Sequence, residues 1–154
     1  MGNEQALYDL LNGAKYPARN ALQNVNDIKA QIAANEKGVQ ELHKMVAHFT
    51  LPVVKAYMQH VQDNAAESVR RVIDRIHDAA FEYELDQGTW TKVKIRVDKD
   101  KREATVDFPG PSPQQNTNFN APEPVTRAAV LYVFRVMVDD EIPMNGGCLR
   151  PINI

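Results

Sequence analysis

Apolar residues recur at helical spacing over two long segments in the first half of the chain. The first segment carries eight positions in strict 3-4 spacing, of which seven are apolar and one, Asn35, is polar. This seam consists of Val25, Ile28, Ile32, Asn35, Val39, Leu42, Val46 and Phe49. A second apolar face runs over residues 54–76, after a candidate N-cap at Thr50. Because only a short link separates the two segments, they predict an antiparallel helical hairpin over residues 25–78.

Asn35 is the one polar position of the seam, and such a residue typically fixes register at a cost in stability. We therefore expect its side chain to face the second helix and to bond a polar partner there, Asn64 or His60. Before the seam, residues 3–14 have the spacing of a short amphipathic helix, which Gly and Pro then interrupt. Residues 1–24 are thus predicted to be a poorly anchored lead-in.

The period of the pattern changes from helical to two after Asp78. Apolar and polar residues alternate over 81–85, 91–97 and 104–108, with turn residues between these runs. The alternation predicts a three-stranded antiparallel meander over residues 80–109 with one solvated face. A long loop rich in Pro, Ser, Gln and Asn follows, and then a third helix from about Pro122 to Val138, within residues 110–154. The predicted fold class is α+β.

Length, charge and cysteine content narrow the class of protein further. The chain has 154 residues, the size of one ordinary domain, and a formal net charge of -2, which provides no basic field for nucleic acid. Its one cysteine, Cys148, excludes an internal disulfide framework and a cysteine-based zinc site. The longest wholly apolar run, residues 128–134, is far shorter than the roughly 20 residues that span a bilayer. These features predict a soluble, cytoplasmic protein with no membrane partner.

Polar side chains cluster on one face of the predicted second helix. His60, Asn64 and Glu67 lie at positions i, i+4 and i+7. They are suited either to bonding a substrate or to supporting a metal from its outer shell, and the alternative is a polar network that satisfies a buried face. Standard signatures such as a Gly-rich phosphate loop, HExxH or GxSxG do not occur in the sequence.

A second set of polar residues precedes the third helix. Residues 116–120 bring several amide side chains next to a helix N-terminus, an environment suited to an anion or a developing oxyanion. The alternative is that these residues only form turns and caps, since Asn120 and Glu123 have the capping-box spacing. Cys148 has no identifiable base beside it and is interpreted as a buried small apolar residue rather than a nucleophile.

Four stretches of the sequence together resemble the hydantoinase B/oxoprolinase family, in the family's order. They are DIKAQIAANEKG at 27–38, AYMQHVQDNA at 56–65, NFNAP with VTRAAV between 118 and 130, and DEIPMNGGCLRP at 140–151. The family includes B subunits of ATP-dependent hydantoinases, 5-oxoprolinase and the related large subunit of acetone carboxylase. Its members are several times longer than this chain, so the resemblance implies an interior fragment, with the family domain over residues 25–154.

The resemblance implies a parent enzyme that opens a cyclic amide, such as 5-oxoproline or a hydantoin, at the expense of ATP. A hydantoinase A-type partner would bind ATP and phosphorylate the ring amide oxygen, after which the B module promotes attack of water. A divalent metal in the parent enzyme and an oligomeric parent are further expectations, whereas the fragment itself is expected to hold no cofactor and to be inactive alone. The rival interpretation is a non-catalytic helical assembly segment built on the 25–49 seam.

The sequence provides six candidate site residues and no metal ligands. The candidate catalytic residues are Asn118, Asn120 and His60. The candidate substrate-binding residues are Asn64, Glu67 and Asn145. Asn118 and Asn120 are expected to project toward the start of the third helix.

Overall fold

The computed structural model describes residues 3–110, 112–117 and 120–154, and its elements confirm the α+β class. The helices are α1 (Glu4–Gly13), α2 (Ala21–Phe49), α3 (Leu51–Ile73) and α4 (Glu123–Val136), with a 3-10 turn at Gly146–Leu149. The strands are β1 (Ala79–Glu84), β2 (Trp90–Asp98), β3 (Glu103–Asp107) and β4 (Ile152–Asn153). The chain divides into two compact units, Met1–Lys55 and Ala56–Ile154.

In the first unit, α1 and α2 contact each other and both begin at an asparagine cap. The side-chain oxygens of Asn3 and Asn20 accept hydrogen bonds from backbone N–H groups in the first turns of α1 and α2, each at 3.1 Å. Because Asn20 caps α2, that helix begins at Ala21, before the first residue of the predicted seam. Lys29 pairs with Glu4 at 2.8 Å, which ties α1 to α2.

The apolar seam of α2 is largely exposed. Ile32, Val39 and Leu42 retain 64%, 49% and 42% of their accessible surface. Asn35 is also exposed, and its predicted pairing with Asn64 or His60, which belong to the other unit, stays a prediction. Only Thr50, at φ 71°, separates α2 from α3. The antiparallel hairpin and the division into a 1–24 lead-in and a 25–154 domain stay predictions.

The second unit contains a four-stranded sheet in the order β1-β2-β3-β4. The first three strands are antiparallel neighbours, which confirms the meander, and the register places Phe81 opposite Val93 and Ile95 opposite Val106. β4 then pairs in parallel with β3, and the Ala104 N–H donates to the Pro151 carbonyl at 2.9 Å beside this pair. The sequence did not predict β4.

One hydrophobic core lies between this sheet and the second unit's helices. Ala65, Val69 and Ile73 of α3 and Phe134 of α4 are buried in the same cluster as sheet residues such as Val106. The cluster also includes residues of the C-terminal segment, namely Ile142, Cys148 and Ile152. The C-terminal segment is therefore packed into the core of the second unit.

The start of α4 differs from the sequence prediction. Pro122 is the N-cap residue and provides no side-chain cap, so the predicted capping box of Asn120 and Glu123 is wrong. The physical reason is that Pro122 has extended backbone, so the helix begins at Glu123 and Asn120 stays in the loop. Within the described part of the chain, no helix combines the length and apolar character that crossing a bilayer requires.

Candidate functional site

The turn between β2 and β3 is hydrogen-bonded to the C-terminal end of α3 through the side chain of Lys99. Lys99 Nζ donates to the backbone carbonyls of Ile73, Asp74 and Ile76 at 3.0, 2.8 and 2.6 Å. A cation here satisfies carbonyls that a helix end leaves unpaired and suits the negative end of the helix dipole. The alternating pattern predicted a turn between the runs at 91–97 and 104–108, but it did not predict that Lys99 contacts α3.

Arg102 forms a second link from the same turn to α3. It has φ 56°, a conformation that non-glycine residues rarely adopt, and its guanidinium donates to both oxygens of Glu67 at 3.1 Å. It also donates to both carboxylate oxygens of Asp74, at distances down to 2.7 Å. The Arg102 hydrogen bonds hold the pKa of Asp74 below its usual range, and these carboxylates in turn raise the pKa of Arg102.

The three polar residues predicted on one face of α3 have different surroundings. Glu67 is half-buried and forms an ion pair with Arg102. Arg71 Nε lies 3.8 Å from Glu67 Oε1. His60 is exposed and contacts the Tyr57 ring edge-on, with centroids 5.9 Å apart. Asn64 is exposed and has no side-chain hydrogen bond to a described residue. His60 and Asn64 are therefore the members of this set whose polar groups are accessible.

The segment from Asn145 to Arg150 docks directly on α3. Asn145 Oδ1 accepts from the Gly147 N–H at 2.8 Å, and its Nδ2 donates to the Val61 carbonyl at 3.5 Å. Arg150 donates to Asp63 Oδ1 and to the Gln62 side-chain oxygen, each at 2.6 Å. The candidate substrate-binding residue Asn145 thus caps the 3-10 turn and contacts α3.

Gly147 and Cys148 of this segment are closely packed. A Cβ placed on Gly147 would lie 2.7 Å from the carbonyl carbon and 2.8 Å from the Cα of Gln62, so only glycine fits at this position. Cys148 is fully buried in the core, which confirms its interpretation as a small buried apolar residue.

The loop before α4 is held together by the side chain of Asn120. Its Oδ1 accepts from the Gln115 N–H at 3.0 Å, and its Nδ2 donates to the carbonyls of Gln115 and Thr117 at 2.8 and 2.7 Å. The other candidate, Asn118, lies outside the described residues. Asn120 also lines a groove of about 740 Å³ that includes Trp90, hereafter the Trp90 groove. Neither Trp90 nor Arg102 was singled out from the sequence.

The donor set of the described residues does not fit a metal ion. No group of three or more His, Cys, Asp or Glu side chains lies close enough together in residues 3–110, 112–117 and 120–154 to hold one. The carboxylates of Glu67 and Asp74 are both bound by Arg102.

A solved structure shares the fold of this chain. The crystal structure of the ATP-dependent caprolactamase from Pseudomonas jessenii superposes with a TM-score of 0.64 at 21% sequence identity. The superposition covers 98% of this chain and 26% of the caprolactamase chain, so the two share this α+β fold. The sequence matches the family described as Hydantoinase B/oxoprolinase over residues 2–154. The chain belongs to the hydantoinase B/oxoprolinase family, as the resemblance indicated.

Similar proteins of known name are much longer than this chain. It is 42% identical over 144 residues to 5-oxoprolinase PfmaA of Pestalotiopsis fici, which covers 90% of this chain and 11% of that protein. It is 35% identical over 163 residues to the 5-oxoprolinase of Saccharomyces cerevisiae, which covers 98% of this chain and 13% of that protein. The chain therefore spans about an eighth or less of the length of these relatives.

Proposed function

We propose that the full-length protein containing this chain is a hydrolase that opens a cyclic amide of the 5-oxoproline or hydantoin type at the expense of ATP. The observation that carries this proposal is family membership over residues 2–154, together with 35–42% identity to proteins named 5-oxoprolinase. The proposal includes a hydantoinase A-type subunit or domain as partner, an oligomeric parent and a cytoplasmic location.

The proposed chemistry follows from the low reactivity of a ring amide. Its carbonyl is a poor electrophile, so a hydantoinase A-type module first transfers a phosphoryl group from ATP to the ring amide oxygen. Water then attacks the activated ring carbon, and the ring C–N bond breaks as the adduct collapses to an acyl phosphate. A second water molecule hydrolyses this acyl phosphate, which gives the open-chain acid and phosphate beside the ADP already formed. Positioned donors that stabilise the anionic intermediate supply much of such a rate enhancement.

Among the described candidate residues predicted from the sequence, His60 and Asn64 are the two whose polar groups are accessible to a substrate. Their side chains are exposed on α3, whereas Glu67, Asn120 and Asn145 already bond to other groups of the chain. Those three residues would instead hold the surrounding elements in place. The sequence contains no Gly-rich phosphate loop, so the 154-residue chain alone is expected neither to hydrolyse ATP nor to open a ring.

The test uses the full-length protein with its A-type partner. ATP hydrolysis and ring opening are measured together against 5-oxoproline, hydantoin and caprolactam, and ring opening should occur only with ATP. The variant His60→Ala should lower turnover more than about tenfold, the range for losing a positioned polar group. His43→Ala removes another exposed histidine, on α2, and should leave turnover unchanged. Absence of ATP-dependent ring opening with every substrate would refute the proposal.

The exposed seam of α2 favours a second candidate function, a non-catalytic assembly segment. Four seam residues that carry large apolar side chains, among them Ile32 and Phe49, remain exposed, and stripes of this kind commonly bind a partner helix. Sedimentation of the chain should then show self-association that Ile32→Lys abolishes. Gln40→Lys, which adds the same charge at an exposed position of α2 outside the seam, is the control. A monomeric unmodified chain would exclude self-assembly through α2.

A further inference from the structure

The Trp90 groove is the described cavity whose lining combines aromatic surface with uncharged polar groups. It lies in the second unit where three segments meet, namely the start of β2, the loop after β3 and the first turn of α4. Its volume of about 740 Å³ is in the range of small-molecule sites in proteins. Six of its lining residues represent these segments: Leu85, Trp90, Phe108, Gln114, Asn120 and Thr126.

Hydrogen bonds between the lining segments hold the walls of the groove. The backbone N–H of Trp90 donates to Ser112 Oγ at 2.9 Å, which ties the start of β2 to the loop. Asn120 bonds both the N–H and the carbonyl of Gln115, so these two lining residues of the loop are held to each other. A site with walls fixed in advance does not have to order these segments when a ligand binds.

The charge of the lining limits which ligands the groove suits. Lys92 is the one formally charged side chain among the described lining residues, and it pairs with Glu82 at 3.1 Å. A polyanion such as a nucleotide would find no free cluster of cations here. Apolar surface from Leu85, Trp90 and Phe108 next to hydroxyl and amide groups instead complements a small ligand that has one apolar face and one polar edge.

We propose that the Trp90 groove binds the ring of a small cyclic amide, an inference that rests on the proposed function. One face of the ring lies on the Trp90 indole, which removes apolar surface from water. The ring N–H and carbonyl then reach uncharged polar groups of the rim, such as the Thr126 hydroxyl and the Gln114 amide. Trp90 and Thr126 are thus binding residues that determine the substrate class.

The first test uses the fluorescence of the 154-residue chain, in which Trp90 is the single tryptophan. Titration with caprolactam, 5-oxoproline or hydantoin should change its emission saturably, whereas open-chain 6-aminohexanoate should not. Thr126→Val keeps the side-chain shape but removes the hydroxyl, and it should weaken ring binding about tenfold. Thr105→Val makes the same change on β3, outside the lining, and should leave binding unchanged.

The second test measures kinetics of the full-length protein with its A-type partner. Trp90→Leu should raise KM for the ring about tenfold and change kcat little, the signature of lost substrate binding. Tyr83→Leu alters an exposed aromatic residue on neighbouring β1, outside the lining, and should leave KM unchanged.

The outcomes separate the site from the proposed function. If unmodified enzyme opens rings but Trp90→Leu leaves KM unchanged, the groove is not the ring site and the proposed function still stands. If rings bind saturably at Trp90 but no ATP-dependent opening occurs, the proposed function fails and the groove remains a ring site. Equal emission changes with the ring and with its open-chain form would also overturn the proposal.

Discussion

Replacing Gly147 by alanine tests how tightly the C-terminal segment docks on α3. The added Cβ would lie 2.7 and 2.8 Å from backbone atoms of Gln62, distances that real Cβ atoms do not show. Those atoms belong to the middle of α3 and not to the flexible end of a side chain. The clash is therefore relieved only if the segment moves away from the helix.

The expected cost follows from what this movement gives up. Forcing one extra carbon into a closely packed site costs roughly 1–3 kcal/mol. Movement of the segment also breaks the hydrogen bonds from Arg150 to Asp63 and Gln62, but these bonds are partly exposed and contribute little to the free energy of unfolding. The same movement loosens the packing over buried Cys148. A total of about 3 kcal/mol lowers the melting temperature by roughly 6–12 °C, since 1 kcal/mol corresponds to about 2–4 °C at this chain length.

Thermal unfolding followed by circular dichroism measures this effect on the purified chain. Gly146→Ala is the matched control, because a Cβ at that neighbouring position meets no atom within 4 Å. It should change the melting temperature by no more than a degree or two. Equal melting temperatures for Gly147→Ala and the unmodified chain would show that the segment does not press against α3, and the reasoning would be refuted.

Three further changes test other contacts of the second unit. Because Arg102 lowers the pKa of Asp74, the charged carboxylate stabilises the fold fully above the ordinary aspartate pKa of about 4, and this stabilisation is lost as pH falls through the lower folded value. Thermal melts of Asp74→Asn should thus differ most from the unmodified chain near pH 7 and converge once the pH is below that folded value. Lys99→Met leaves carbonyls at the end of α3 unpaired, so hydrogen exchange of amides near Ile73 should accelerate while exchange in α4 stays constant. Asn120→Ala removes three loop hydrogen bonds and should raise KM with little effect on kcat, whereas a loss confined to kcat would indicate direct catalysis by Asn120.

The periodicity of apolar residues predicted the long helices and the first three strands. It did not predict a short strand that depends on a distant partner, the start of α4 or the surroundings of the α2 seam. The alternation over 91–97 and its neighbours is long enough to reveal β1 to β3, but β4 has only two residues and gains its pairing from β3. At α4, the spacing of Asn120 and Glu123 did not produce a capping box, since Pro122 is the N-cap and the helix begins at Glu123. The α2 seam follows helical spacing correctly, yet spacing alone does not show which surface covers it.

The candidate site was harder to predict because its contacts join residues far apart in the chain. Arg102 reaches Glu67 and Asp74 across 35 and 28 positions, and local patterns carry no record of such pairs. A basic residue directly after a charged turn was the one available signal for Arg102. The sequence indicated a cluster of amide side chains before α4. It did not show that the side chain of Asn120 forms its hydrogen bonds with backbone groups of its own loop.

The burial of Cys148 turns the chain's single thiol into a reporter of local opening. Since the side chain is fully enclosed beneath the docked segment, an alkylating reagent reaches it only while that segment is detached. The ratio of its labelling rate in the folded chain to that of an unstructured thiol gives the population of the detached state directly. Because Cys148 is the chain's one cysteine and is enclosed, no other thiol competes at the surface, so a cysteine introduced there receives a spectroscopic label at one defined position.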